Sequence, residues 1–336
     1  MKKIFSILFC ATLFLTIVNP NFAKASEEPL EKPREEYTLE EAEKAFLTYL
    51  NEKQLNYEIG SPEYSEYVMK LNNEEETNIE LKEYPSYPII AAYISEYTYA
   101  YETSLGMDED SNTEESQTPE VLEDTQMEKF SNALEVQKEK TIGDIEAEIE
   151  LEEEEQEGIP VLEFSTYSTY SVSKAKDYAK KWYNSRNSYQ YQSQNNDCTN
   201  FVSQILFAGG KSKKKPSPVP ASTSNTKYWY SYMNDSGKVP TFKKSTSWIN
   251  VSDFYAFWSR TQSTKSSTSK KTLISYADVG DVIQFKKDKA TRYSHTMFVY
   301  EKSDGTLYLS GHTSNYLKKN FKNIDEKWVK YRVIKF

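Results

Sequence analysis

The sequence predicts an α+β protein in two unlike halves, and three observations carry that reading. Charge is divided along the chain: residues 26–165 hold 40 acidic and 9 basic residues, whereas 166–336 hold 11 acidic and 29 basic ones. That separation marks a boundary near residue 165. Apolar residues recur at helical spacing in both halves. The last sixty or so residues instead alternate as short strands about a turn.

The chain opens with Lys2 and Lys3, an apolar run from Ile4 to Val18, and Ala23-Lys24-Ala25 before Ser26. A basic start, a short apolar core and a small-x-small site describe a secretory signal peptide over residues 1–25. The run is shorter than the roughly 20 apolar residues of a membrane span, and no later stretch approaches that length. Cys10 lies within the signal, and Phe9 precedes it where lipid attachment requires a small residue. The expected mature protein is therefore secreted, without a transmembrane segment, and keeps Cys198 as its one thiol.

In the acidic half, residues 38–54 predict a helix. Thr38 and Glu41 form a capping box, and Ala42, Ala45, Phe46 and Tyr49 share a face. The Tyr-rich run at 84–105 predicts a strand, because Tyr, Ile and Thr suit a pleated surface and Pro85 and Pro88 disfavour a helix start. Residues 106–165 are acidic and poor in apolar groups, so a solvated linker is expected there. Residues 26–105 would then form a small acidic α+β domain.

The basic half, 166–336, reads more definitely. Ala175, Tyr178, Ala179 and Trp182 make a helical stripe ending near Asn187. After a polar loop, a second helix runs from Cys198 to about Phe207, with Gly209 and Gly210 as its stop. A further helix is expected over 251–261 with Phe254, Phe257 and Trp258. VGDVIQF is a strand, and HTMFVYE and TLYLSGH form a hairpin about Ser303-Asp304-Gly305. WVKYRVIKF is the closing strand. The expected architecture is a cysteine-bearing helix packed on an antiparallel sheet.

Cys198 is the chemical focus. A thiol attacks as thiolate, and a helix N-terminus or a nearby imidazolium lowers its pKa from about 8.5. Asp197 is a natural N-cap, which places Cys198 in the first helical turn where the backbone N–H groups favour negative charge. The same groups could receive an oxyanion. A small buried cysteine at a helix start is the plainer alternative. The chain has only two histidines, His295 and His312. Counted from the hairpin turn, antiparallel pairing would set them opposite each other, with one imidazole as base and the other orienting it.

The run AKDYAKKWYNSRNSYQYQSQNNDCTNFVSQILFAGG, followed in order by GDVIQF, SHTMFVY and SGHTSN, resembles the putative amidase domain of secreted Gram-positive proteins. The resemblance covers about residues 170–336 and leaves out the acidic half. That family is similar to the CHAP and NlpC-like cell-wall peptidases, so the resemblance implies a papain-like fold and amide hydrolysis through a thioester. It also implies Cys198 as nucleophile, His295 as base and His312 as the orienting group. Asn315 is a second candidate for the third role, and Gln192 is a candidate oxyanion-hole residue. One departure is Ser188 after Asn187, where the family often has proline.

A basic catalytic half suits an anionic partner such as peptidoglycan or another cell-wall polymer, whereas no nucleic-acid motif accompanies the lysines. The acidic half could dock on the basic half and cover the cleft, or act as a spacer. No cofactor is expected. A Cys198/His295/His312 zinc site is one alternative, although CxxC and HExxH spacings are absent. A cell-wall-binding protein that keeps the fold without turnover is another.

Overall fold

A computed structural model describes residues 30–73, 79–105, 124–157, 170–234, 241–312 and 314–336. The expected signal peptide and the linker portions at 106–123 and 158–165 lie outside the described residues. No helix among those described is long and apolar enough to cross a membrane.

The acidic half is built from helices α1 (Leu39–Glu52), α2 (Pro62–Asn72), α3 (Ile79–Lys82), α4 (Tyr87–Ser104), α5 (Asp124–Lys138) and α6 (Ile142–Glu157). The Thr38–Glu41 capping box at α1 is present. The expected strand at 84–105 is instead the long helix α4, and Pro88 sits in its first turn, where the missing N–H costs nothing. Ile90, Tyr93, Tyr97 and Tyr101 are buried along it, and neighbours on almost every side are buried too. Tertiary burial of this kind overrides the β preference of Tyr and Ile. The acidic stretch expected as linker also folds in part: α5 buries Phe130 and Leu134, and α6 buries Ile142 and Ile145. No strand occurs in this half among the described residues, which show only an isolated bridge between Thr38 and Thr141. The expected small α+β domain is thus helical.

The basic half is α+β. Its elements run α7 (Val172–Trp182), α8 (Cys198–Ala208), β1 (Ser222–Thr223), β2 (Ser231–Asn234), β3 (Thr241–Ser245), α9 (Thr246–Ile249) and α10 (Val251–Trp258). There follow β4 (Thr264–Ser267), α11 (Lys270–Tyr276), β5 (Val282–Lys287), β6 (His295–Ser303), β7 (Thr306–Gly311), β8 (Tyr316–Asn320) and β9 (Trp328–Ile334). The main sheet has the order β4-β9-β5-β6-β7-β8 and is antiparallel throughout.

Both faces of this sheet are covered, and strand alternation divides them. Val282 pairs with Phe298 and Ile334, and these face α7, α8 and α10 in one apolar cluster. Ile283 pairs with Met297 and Val333, and these join Leu273, Leu309 and Trp328 in a second cluster on the other face. The next two rows repeat the alternation, with Gln284 beside Thr296 and Arg332, then Phe285 beside His295 and Tyr331.

Gly280 enters β5 at φ +105°, and a Cβ there would lie 2.9 Å from Val172 Cγ2 and 3.2 Å from Tyr170 Cε1. Both the left-handed backbone and the contact with the start of α7 oppose a side chain. Gly280→Ala is expected to lower the unfolding free energy by roughly 1–3 kcal/mol, read by urea denaturation.

The candidate thiol site

Cys198 opens α8 and is fully buried. Asp197 occupies the N-cap position, but its side chain does not cap the helix. Its Oδ2 accepts from His312 Nδ1 at 2.5 Å and from Arg186 Nε at 2.8 Å, and its Oδ1 from Asn200 Nδ2 at 2.6 Å. The carboxylate therefore ties two segments, those of Arg186 and His312, to the head of α8. Most polar residues of the CTNFVSQ run are similarly engaged. Thr199 Oγ1 lies 3.0 Å from Thr296 Oγ1, and Asn200 Oδ1 accepts from Trp248 Nε1. Ser203 Oγ donates to the Trp248 carbonyl and accepts from Trp229 Nε1, and Gln204 Oε1 accepts from Tyr178 Oη. Much of the motif that draws attention to this helix is architectural.

The thiol donates to Asn196 Oδ1 at 3.3 Å and lies 3.8 Å from Thr199 Oγ1. Val251 and Tyr293 pack against it. Both of these partners flank the thiol in sequence, and the two His312 nitrogens face other acceptors. Burial pushes the Cys198 thiol up to about 12, and the nearby Glu102 carboxylate adds to the rise, whereas Thr199 opposes it. The helix-start argument for a depressed pKa is outweighed here by desolvation.

The two histidines do not meet as the hairpin count suggests. The turn forms with Ser303 paired to Thr306, two positions off that count; a register shift between Val299 and Glu301 returns one of them, and beyond it Phe298 pairs with Ser310. Continued along the strands, that register sets His312 opposite Thr296 and not opposite His295. A one-residue slip sends side chains to opposite faces. The His312 ring stacks on Phe201 of α8 at 3.6 Å, with Nδ1 on Asp197 and Nε2 2.9 Å from the Trp182 carbonyl. The His295 ring lies on the far face, 5.6 Å from Phe285 and 5.8 Å from Trp328. Cys198, His295 and His312 accordingly do not converge as a ligand set, and the described residues contain no cluster of three His, Cys, Asp or Glu suited to a metal.

The remaining candidates stand outside the thiol's contacts. Asn315 Oδ1 accepts from Arg186 Nη1, so it reaches the site through the Arg186–Asp197 pair. Gln192 Oε1 accepts from Lys244 Nζ, and its carbonyl accepts from Asn200.

The sequence reading missed the groups that surround the sulfur. Asn196 donates to Glu102 Oε1 at 2.7 Å, and Asn250 donates to Glu102 Oε2 at 2.6 Å. Glu102 belongs to α4, so the helical half reaches the amides beside the thiol. Nearby, Glu96 of α4 pairs with Arg292 at 3.0 Å and accepts from Thr291, while the Arg292 guanidinium stacks on Tyr99 at 3.8 Å. Glu153 of α6 pairs with the buried Arg332, which lies between the rings of Tyr255 and Tyr293. No local pattern in the sequence joins residues 94 to 196 positions apart.

Residues 169–334 match the family model described as the putative amidase domain. The C-terminal half belongs to that family. No curated protein and no solved structure matches the chain. The amidase domain marks this half as an amide-bond hydrolase, and it covers α8, the six-stranded sheet and the acceptors that hold His312.

The covering helix brings a pH dependence with it. Burial pushes Glu102 up to about 7, against the pull of its two amide donors, and Asp253 adds to the rise. Burial likewise raises Asp253 to about 6, opposed by Thr246, Arg292 and Tyr99. A carboxyl whose folded pKa lies above its unfolded value binds more protons when folded. Stability should therefore fall as pH rises from about 4.5 to about 7, by on the order of 3 kcal/mol for Glu102. Unfolding midpoints measured across that window should fall, and Glu102→Gln should flatten the slope.

Proposed function

We propose that the protein is a secreted cysteine hydrolase that cleaves amide bonds in peptidoglycan, with Cys198 as nucleophile. The observation that carries this reading is the position of Cys198: a sole mature cysteine at the head of a helix packed on an antiparallel sheet, inside an amidase domain. The arrangement is in keeping with a papain-like architecture.

Cys198 Sγ would attack the scissile carbonyl, form a tetrahedral intermediate and release the amine, leaving a thioester that water then hydrolyses. Backbone N–H groups in the first turn of α8 would receive the oxyanion. His312 acts as a positioning residue, because both of its ring nitrogens face acceptors, Asp197 and the Trp182 carbonyl. The proton of the thiol is therefore assigned to His295, adjacent in β6 to Thr296, which is hydrogen-bonded to Thr199. That transfer requires the His295 ring to leave its stack on Phe285 and Trp328 and turn to the thiol.

The basic charge of the catalytic half favours an anionic wall polymer as substrate, and the basic start, short apolar run and small-x-small site of residues 1–25 support export. The test is digestion of purified peptidoglycan with and without a chelator, with mass spectrometry of released muropeptides. Chelator-insensitive cleavage is expected, and the fragment masses name the bond. A second reading, a wall-binding protein without turnover, is favoured by the separation of His295 from the thiol. Binding to peptidoglycan with no released fragments, even after the covering helix is disabled, would select it.

A further inference from the structure

We propose that Asn196 and Asn250 form a carboxylate-binding subsite beside Cys198, which Glu102 of the helical half occupies in the resting protein and a carboxylate of the substrate occupies in turnover. The proposal rests on Cys198 being the reacting centre.

The two amides come from the catalytic half, on either side of the thiol: Asn196 two residues before Cys198, Asn250 at the start of α10. Both are at least nine-tenths buried, as is the carboxylate they bind. Each Glu102 oxygen receives one N–H, at 2.7 and 2.6 Å. Two donors converging on two acceptor oxygens are the recognition pattern of a carboxylate, since a neutral amide would present one acceptor and one donor. Asn196 also accepts from the thiol, so the bound carboxylate and the sulfur share one residue.

Small cavities remain on both sides of Glu102. One is walled by Gln194, Asn195 and Ile249, the other by Val251, Arg292 and Tyr293. They read as the two ends of a groove that the Glu102 side chain interrupts. Withdrawal of α4 would return both amides to that groove. A substrate would then present a free carboxylate to Asn196 and Asn250 with its scissile carbonyl at Cys198. A peptide bearing an α- or side-chain carboxylate near the cleaved bond has this chemistry. In the resting protein Glu102 is a cis competitor on α4, which the Glu96–Arg292 pair ties to the catalytic half, as the Glu153–Arg332 pair ties α6.

The test uses the full chain and reads alkylation of Cys198 by iodoacetamide from the mass of its tryptic peptide, so it does not depend on turnover. Glu102→Ala should raise the alkylation rate at least tenfold. Glu102→Gln, which keeps the volume but offers one acceptor to two donors, should give a smaller rise. In Glu102→Ala, acetate and N-acetyl-D-alanine should protect the thiol saturably, and acetamide and N-acetyl-alaninamide should not. Adding Asn250→Asp should abolish that protection. This change keeps the Oδ1 that caps α10 through the Asp253 N–H and places an acceptor where the donor stood. Alkylation within twofold of wild type in both Glu102 variants would overturn the proposal. So would equal protection by the neutral amides, or protection that survives Asn250→Asp. Labelling as expected, with no peptidoglycan cleavage by Glu102→Ala, would uphold the subsite and count against the hydrolase reading alone.

Discussion

Cys198→Ser is expected to lower peptidoglycan amide hydrolysis at least about a thousandfold, because a serine hydroxyl stays protonated where a thiol could ionise and is a far weaker nucleophile. Stability should change by less than about 1 kcal/mol, since serine can keep the contacts to Asn196 Oδ1 and Thr199 Oγ1. The comparison is best made in both the wild-type and the Glu102→Ala backgrounds. In the first, the proposed occlusion by the carboxylate on Asn196 and Asn250, together with the raised thiol pKa, would hold turnover down. In the second, a larger wild-type rate widens the measurable range. Activity that survives Cys198→Ser would remove the thiol from the mechanism and leave the amidase domain without an assigned nucleophile. His295→Ala should match the cysteine substitution within about tenfold if it takes the proton, since members of one catalytic unit fail together.

Asp197→Ala is expected to lower the unfolding free energy by about 3–5 kcal/mol, as removal of one member of a buried ion cluster leaves its partners uncompensated. Asp197 is only 2% exposed, and it bonds Arg186, His312 and Asn200 at once. Its removal would unpair a partly buried guanidinium and free the His312 ring from one of its two acceptors. Asp197→Asn keeps the size and one acceptor oxygen, so it should cost roughly half as much. Chemical denaturation followed by tryptophan fluorescence separates the two, because Trp182 and Trp248 lie on either side of the cluster. A loss below about 1 kcal/mol for the alanine variant would show that the cluster does not hold α8 in place.

Several elements of the catalytic half were legible because their signals are local. The Cys198 helix, the hairpin turn and the closing strand each follow from spacing within a few residues. The acidic half was misread at 84–105 and 144–157 for a common reason. Tyr93, Tyr97 and Tyr101 suit a strand by intrinsic preference, and Ile142 and Ile145 are sparse among glutamates. Only the cores they enter decide their state. The histidines were misplaced by one residue because the turn pairs Ser303 with Thr306, two positions off the count, and the register shift at Val299–Glu301 returns only one of them.

The sequence alone determined the opposite charge of the two halves, the position of Cys198 at a helix start and the match of residues 169–334 to an amidase domain. Those properties depend on composition and short-range order, which the chain carries without folding. Tertiary structure alone decided that His312 belongs to Asp197, that His295 faces the opposite side of the sheet, and that Glu102 binds the amides beside the thiol. Each of these depends on segments brought together from distant parts of the chain. The free energy of burial and pairing that joins them is not encoded in any one stretch.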